Sequence, residues 1–406
     1  MSRKYSQPRT GRPAGATTPA SQAPPPPPPP PGVEYITTDR ALAKLLREVR
    51  GEPLLAIDTE AASFHRFTDR VYLIQLSSRS VTAIIDPLGV GDLSPVGKLL
   101  ANSKLEVVFH DADYDLRLFD RDLGFHARGL FDTRIAAQFL HEPGIGLAAL
   151  LDKYLGVKLD KKFQRADWSA RPLTTAMLAY AATDTRYLPE LRDILRAQLE
   201  ERGRLSWAEE EFRLLEGVRW APREDRGMGF LRMKGAGKLD GRSLAILREL
   251  YRWRESTARR KDKAAFRILN NQPMLALAQD PPADVSALGL VRGVGPEIAR
   301  RTGRAIMAAV ERGRSLADSD LPQRPRPERP RHDNAYLERL DRLKAVRNAV
   351  AERLDLDPGV VCPNGTLESI ARGSPGTIDE LSAIPAVRRW QAGEFGDDLL
   401  GAVAGS

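Results

Sequence analysis

The chain has 406 residues, enough for two or three domains, and a 42% apolar fraction that is enough to build real cores. Its one cysteine, Cys362, excludes a disulfide framework or a cysteine-rich zinc site and points to a reducing, cytoplasmic setting. No apolar run approaches the roughly 18 residues that span a bilayer, and Met1-Ser2-Arg3-Lys4 has no apolar stretch behind its charges, as a secretory signal would.

Net charge is +8 but unevenly placed. Residues 1–32 carry four basic residues and no acid. Residues 33–218 are mildly acidic, with 25 basic against 29 acidic residues, while residues 219–331 are strongly basic, with 25 against 13. Residues 332–406 are acidic again, at net −4. An acidic region beside a basic one suits a metal-dependent enzyme with an appended nucleic-acid grip; a solvated basic surface would give the same numbers.

Residues 1–32, with eight consecutive prolines at 24–31, read as a disordered or polyproline tail that serves as a spacer. Thr38-Asp39 predicts a helix cap, with the helix running to about Val49. Strand-like runs follow at 53–59, 71–77 and 81–86, then a short helix near 94–102 and a strand at 106–109. Helices are expected near 112–121, 133–140 and 147–155, and one long helix from about 174 to 202. Three consecutive strands followed by alternation imply an α/β domain with a mixed sheet.

The acidic residues of this region fall into three motifs. In Leu54-Leu55-Ala56-Ile57-Asp58-Thr59-Glu60, Asp58 and Glu60 end an apolar run and, two apart on a strand, face the same way. In His110-Asp111-Ala112-Asp113-Tyr114-Asp115-Leu116 three aspartates compete. Asp111 suits a helix N-cap, and Asp115, one turn on, would face the same way; spacing alone does not choose among them. In Tyr180-Ala181-Ala182-Thr183-Asp184, Tyr180 and Asp184 are one helical turn apart and share a face. Carboxylates brought together from a strand end and two helices suit hard divalent cations, Mg²⁺ or Mn²⁺. Two such ions are the machinery of phosphodiester cleavage. A phenol with a pKa near 10 is a poor base at neutral pH, so Tyr180 fits a role in orienting water. Each motif alone reads more readily as ordinary strand-end or helix-surface acids and a half-buried aromatic; the combination carries the reading.

Beyond residue 218 the chain repeats itself. At an offset of 93, Leu244, Leu247, Leu250, Arg254, Ala258, Ala278, Leu288 and Gly303 meet Leu337, Leu340, Leu343, Arg347, Ala351, Ala371, Leu381 and Gly396. This argues for two copies of a small helical domain joined by an extended Pro/Arg-rich linker. The first copy gathers Arg254, Arg259, Arg260 and Lys261 in one stretch, with Tyr251 and Trp253 interleaved. Arg292-Gly293-Val294-Gly295-Pro296 opens a further helix and reads as a tight turn more readily than as a phosphate cradle.

Together and in this order, the motifs resemble the DEDD exonuclease superfamily, in its subgroup with a third-motif tyrosine, and more narrowly the bacterial ribonuclease D family. Residues 33–215, including Gln164 to Thr174, carry that resemblance. The repeats at about 238–315 and 333–404 are similar to the helicase-and-ribonuclease-D C-terminal (HRDC) domain. The resemblance implies a ribonuclease H-like α/β exonuclease domain with a mixed sheet, followed by two small all-α domains. It sets the expected boundaries: a tail at 1–32, the exonuclease domain at 33–218, a basic HRDC-like domain at 219–321, a linker at 322–332 and a second HRDC-like domain at 333–406.

It also selects Asp115, which stands directly before Leu116-Arg117-Leu118-Phe119, as the second-motif acid. Asp58, Glu60, Asp115 and Asp184 are thus the implied ligands of two divalent ions, and Tyr180 positions water. The implied activity is 3′–5′ exoribonuclease action releasing nucleoside 5′-monophosphates, with tRNA precursors and other structured RNA as partners and no membrane. A proofreading-type DNA 3′–5′ exonuclease and a non-catalytic RNA-binding protein are the alternatives. Further RNA contacts are expected from Gln75, His110, Arg165, Trp168 and Arg171 around the centre, and from Arg254, Arg259, Arg260 and Lys261 in the first repeat. The second repeat, with Val346 where the first has Trp253 and with acidic net charge, is the weaker candidate for RNA binding.

Overall fold

The computed structural model describes residues 28–222, 227–324 and 333–405. Most of the proline-rich tail and most of the Pro/Arg-rich linker lie outside the described residues. The first part of the chain runs β1 (Glu34–Ile36), α1 (Asp39–Glu48), β2 (Leu54–Ala61), β3 (Val71–Ser77), β4 (Thr82–Ile85), α2 (Ser94–Leu100), β5 (Glu106–Phe109), α3 (Asp113–Leu123), β6 (Leu130–Asp132), α4 (Thr133–Phe139), α5 (Leu147–Leu155), α6 (Thr175–Arg186), α7 (Leu188–Glu201) and α8 (Leu205–Leu215). The six strands form one mixed sheet in the order β1-β4-β3-β2-β5-β6. β2 runs antiparallel to β3 and parallel to β5.

Local chemistry explains most of these elements. The Leu54–Ile57 run is fully buried and makes β2 a central strand. Thr38 caps α1 by accepting from the Ala41 N–H at 3.2 Å. The expected long helix over 174–202 is instead two, α6 and α7, parted at Tyr187. Pro189 is the reason: it lacks an N–H and its ring disfavours a helical residue before it, so it belongs in the first turn of a new helix. β1, β6 and α8 were not expected; the two strands are each three residues long, too short for a period to show.

The first repeat comprises α9 (Gly241–Lys261), α10 (Ala265–Ile268), α11 (Asn271–Gln279), α12 (Val285–Leu288) and α13 (Gly295–Arg314). The second follows with α14 (Asn334–Leu354), α15 (Pro358–Val361), α16 (Asn364–Gly373), α17 (Ile378–Ser382) and α18 (Arg389–Ala404). The 93-residue offset reproduces the helix starts of the first four pairs. It also explains the paired glycines. A Cβ on Gly303 would fall 2.8 Å from Val285 Cγ1, and one on Gly396 would fall 2.7 Å from Ile378 Cδ1. The last helix of each copy crosses the short helix before it at that point, and only glycine allows the approach.

The two copies sit differently. The first has a core of its own, built on Leu244, Leu247, Leu250, Met274, Leu277 and Ile306. The second shares one continuous apolar core with the sheet. Its Trp390 stacks on Trp207 of α8, with ring centroids 4.8 Å apart. Arg388 makes a two-pronged ion pair with Glu211, and Glu210 accepts the Arg389 and Trp390 N–H groups at 2.8 and 3.1 Å. A carboxylate at the start of α18 is favourable for that helix. No described helix is long and apolar enough to cross a membrane.

Candidate active site

The site lies where β2, α3 and α6 meet. Ala56, Asp58 and Glu60 point to one face of β2, and their cross-strand partners on β3 are Ser77, Gln75 and Leu73. Helix α6 covers this face: Ser77 Oγ is 2.8 Å from Thr185 Oγ1, and Leu73 packs with Leu178, Ala181 and Ala182. That packing sets Asp184, next to Thr185, over the strand. The β2–β3 register slips between Glu60 and Ala61, a bulge that ends regular pairing just past the second acid.

Asp115 arrives from the other side. It is buried in the first turn of α3, and Thr59 Oγ1 donates a hydrogen bond to its Oδ1. Asp111, the expected N-cap, does not cap. It sits in the left-handed region at φ 68°, and Ala112 occupies the cap position without a side-chain bond. The helix start is held instead by Asp132, a residue not singled out in the sequence. Its buried carboxylate accepts from the Asp111, Ala112, Arg134 and Ile135 N–H groups at 2.8–3.2 Å. One side chain thus caps α4 and pins the turn into α3, which places Asp115. The signal for it was the cap-like Asp132-Thr133 ahead of an apolar helix.

The four acids lie in one another's electrostatic field. Burial, then repulsion from Asp115, Asp184 and Glu60, holds the Asp58 carboxyl well above the carboxylate range, and Glu60 follows for the same reasons. Burial raises Asp115 and Asp184 to about 7. Among the described residues no lysine or arginine pairs with any of the four, and no three acids, histidines or cysteines are drawn together into a ready metal cage. Tyr180 lies half-buried between Phe163 and Trp168, with centroids 5.9 and 6.0 Å away. Burial, and then the charges of Asp184, Glu60 and Asp58, push its phenol upward, so it stays protonated.

Of the remaining expected contacts, several turn inward. Gln75 is completely buried, and neither polar atom of its amide has a partner. Trp168 is 1% exposed and packs on Tyr180, so its ring faces no solvent on which RNA could lie. Arg171 is committed to a two-pronged pair with Asp86 at 2.6 and 2.8 Å and to the Tyr72 carbonyl. Arg254 is buried and donates to Asn271 Oδ1 at 2.6 Å. Arg347 and Asn364, 93 residues on, repeat that bond at 2.7 Å, so the arginine matched in both copies is a scaffold bond and not a phosphate contact.

His110 is half-buried just past the end of β5, the strand next to β2. Thr133 donates its hydroxyl to the Phe109 carbonyl at 3.1 Å, so its oxygen accepts the His110 Nδ1–H at 2.9 Å and leaves a lone pair on Nε2. Burial, and secondarily Arg134, lowers its pKa to about 4, so the ring is neutral. Arg165, Arg259, Arg260 and Lys261 are exposed.

Sheet, helices and acids together define a 3′–5′ exonuclease domain with two HRDC domains: the family model described as 3′–5′ exonuclease matches residues 33–200, and the HRDC domain model matches residues 243–310 and 337–403. The chain is 32% identical to ribonuclease D of Gluconacetobacter diazotrophicus over 370 residues, covering 90% of this chain and 91% of that one. It is 35% identical to ribonuclease D of Escherichia coli over 294 residues, covering 71% and 77%. The crystal structure of E. coli RNase D, described as an exoribonuclease involved in structured RNA processing, superposes with a TM-score of 0.64 at 27% identity over 92% of this chain and 99% of that one. The catalytic core of Trypanosoma brucei RRP6 gives 0.63 at 28% identity over 69% and 79%. The chain belongs to the ribonuclease D family, whose chemistry depends on divalent metal.

Proposed function

We propose that this protein is a 3′–5′ exoribonuclease that removes nucleotides from RNA 3′ ends as nucleoside 5′-monophosphates, with tRNA precursors carrying 3′ trailers as its first substrate. The observation that carries the reading is the convergence of Asp58, Glu60, Asp115 and Asp184 in one electrostatic field without a pairing cation among the described residues. An oxygen-only acidic donor set fits hard divalent ions, Mg²⁺ or Mn²⁺. Asp58, Glu60 and Asp184 would hold one ion, and Asp58, aided through water by Asp115, the second. When bound, such a pair acidifies the attacking water and stabilises the leaving 3′ oxygen. Tyr180 keeps its proton and orients that water, while Thr59 fixes the Asp115 carboxylate. Arg165, Arg259, Arg260 and Lys261 are the exposed RNA contacts, and His110 offers Nε2 as an acceptor. The proofreading alternative has no support from relatives named ribonuclease D, nor the non-catalytic one from the complete acid set. A cytoplasmic setting accords with the buried, unpaired Cys362.

Gln75 adds a check on the metal fit. It is the direct cross-strand partner of Asp58, and its amide is uncommitted. With metal bound, this free amide would hydrogen-bond a ligating carboxylate and hold its orientation, and loss of such a partner typically costs about 10–100-fold in metal affinity. Gln75→Met, which keeps the shape, is expected to weaken Mn²⁺ binding by roughly tenfold or more in calorimetric titration of the RNA-free protein. Unchanged affinity would make the amide a mere filler.

Incubation with a 3′-extended tRNA precursor and Mg²⁺ tests the function. Stepwise trimming to the mature end, with release of 5′-monophosphates, is expected. Equal action on a deoxyribose copy of the same 3′ segment would favour the DNA reading, because an RNA enzyme reads the 2′-hydroxyl.

A further inference from the structure

The loop leaving β2 carries aromatic side chains on its surface. Phe64, four residues past Glu60, is 41% exposed. Phe266, from α10 of the first repeat, is 45% exposed and meets it edge to face, with centroids 6.2 Å apart. Cations lie over both rings: the Arg165 guanidinium stands 5.1 Å from the Phe64 centroid and that of Arg267 stands 5.9 Å from Phe266. Lys261 and Lys263 are exposed beside them. The junction that brings these groups together is fixed by backbone. Ala264 N–H donates to the His65 carbonyl at 3.1 Å, Phe67 N–H donates to Asp262 at 3.3 Å, and Arg267 donates to the Phe64 carbonyl.

The row continues toward the acids. Arg165 ends the segment that carries Lys162 and Phe163; Lys162 lies 5.4 Å over Phe163, and Phe163 meets Tyr180 edge-on. Aromatic rings and guanidinium or ammonium groups therefore run from Tyr180 through Phe163, Arg165 and Phe64 to Phe266. Phe64 stands four positions along the chain from Glu60, a reach of at most about 14 Å.

We propose that this row is a stacking track for the single-stranded 3′ segment of RNA, completed only when the first repeat docks on the loop after Glu60. The inference rests on the exonuclease reading above. A row of rings with cations over Phe163, Phe64 and Phe266 matches a flexible polyanion with planar bases, since base stacking on aromatics is sequence-tolerant and the backbone seeks positive charge. A duplex keeps its base faces stacked inside and presents none to the rings, so the track admits a 3′ single strand and stops at a stem. Phe64 comes from the exonuclease domain and Phe266 from the first repeat, so neither part alone holds the whole track.

The test uses the full chain with Phe64→Leu, Phe266→Leu and both together, changes that keep apolar volume at the junction but remove the ring faces. Substrates are ten-nucleotide poly(A) RNA and the dinucleotide pApA, which has a single nucleotide upstream of the cleaved bond. For the ten-mer, KM is expected to rise about tenfold per substitution, the scale of one lost base stack, while kcat changes little. For pApA, KM should move far less, and Phe64→Trp should restore ten-mer binding. An unchanged ten-mer KM in the double variant would overturn the proposal. So would a parallel loss on both substrates, which marks a structural role. Failure of the wild-type protein to cleave either substrate with Mg²⁺ would instead remove the exonuclease reading on which it rests.

Discussion

Replacing Asp58 by Asn is expected to lower exonuclease turnover by at least about a thousandfold, since a divalent ion contributes several kcal/mol of charge stabilisation and each 1.36 kcal/mol is tenfold in rate. Asp58 stands out because its carboxyl feels the charges of Asp115, Asp184 and Glu60 together. It is the one acid expected to touch both ions, so its loss cannot be shared by a neighbour. The change is nearly isosteric and sits at the end of a well-packed strand, so folding should survive. Steady-state kcat on an oligoribonucleotide with Mg²⁺ checks it. A loss below tenfold would place the chemistry elsewhere.

The second large effect is on stability, with the opposite sign. In the metal-free protein Asp115 and Asp184 bind their protons up to about pH 7, whereas the same groups in an unfolded chain release them near pH 4. Between those values the folded state holds more protons than the unfolded one. Stability therefore falls as pH rises through that window and stays low above it. Neutralising one acid removes part of the penalty. Asp184→Asn should stabilise the metal-free protein by about 2 kcal/mol at pH 8, raising Tm by about 4–8 °C, with little change at pH 4, where Asp184 is already neutral. Thermal unfolding in EDTA at the two pH values reads this out. A variant less stable than wild type at pH 8 would show that the acids do not strain the fold. On the proposed reading, the activity loss and the stability gain would come from the same four acids, whose mutual repulsion is borne by the metal-free fold.

The sequence made the acids legible because their chemistry is local. Asp58 and Glu60 alternate on a strand, and Tyr180 and Asp184 lie one helical turn apart, so simple periods brought each pair to one face. The repeat was legible because α9–α13 and α14–α18 keep one spacing. What local pattern could not show was partnership at long range. Arg171 and Arg254 read as surface cations, yet each is bound to a distant acceptor, Asp86 and Asn271. Gln75 and Trp168 read as polar and amphipathic side chains near the centre, yet both lie under α6 or against its tyrosine. Asp132 holds the start of α3 from 20 residues away, which no helical or strand period records. The docking of the second repeat on Trp207 was equally invisible, because a tryptophan stack between two elements 183 residues apart leaves no trace in spacing.

The central claim is that these four carboxylates form a metal centre that cuts RNA one nucleotide at a time from the 3′ end. It is tested most directly with a single-stranded RNA carrying a label on its 3′-terminal nucleotide, followed in Mg²⁺ and in EDTA. The account predicts that the label leaves as a nucleoside 5′-monophosphate from the earliest time point in Mg²⁺, and that nothing is released in EDTA or by Asp58→Asn. Release of the label within longer fragments, or undiminished release in EDTA, would contradict it.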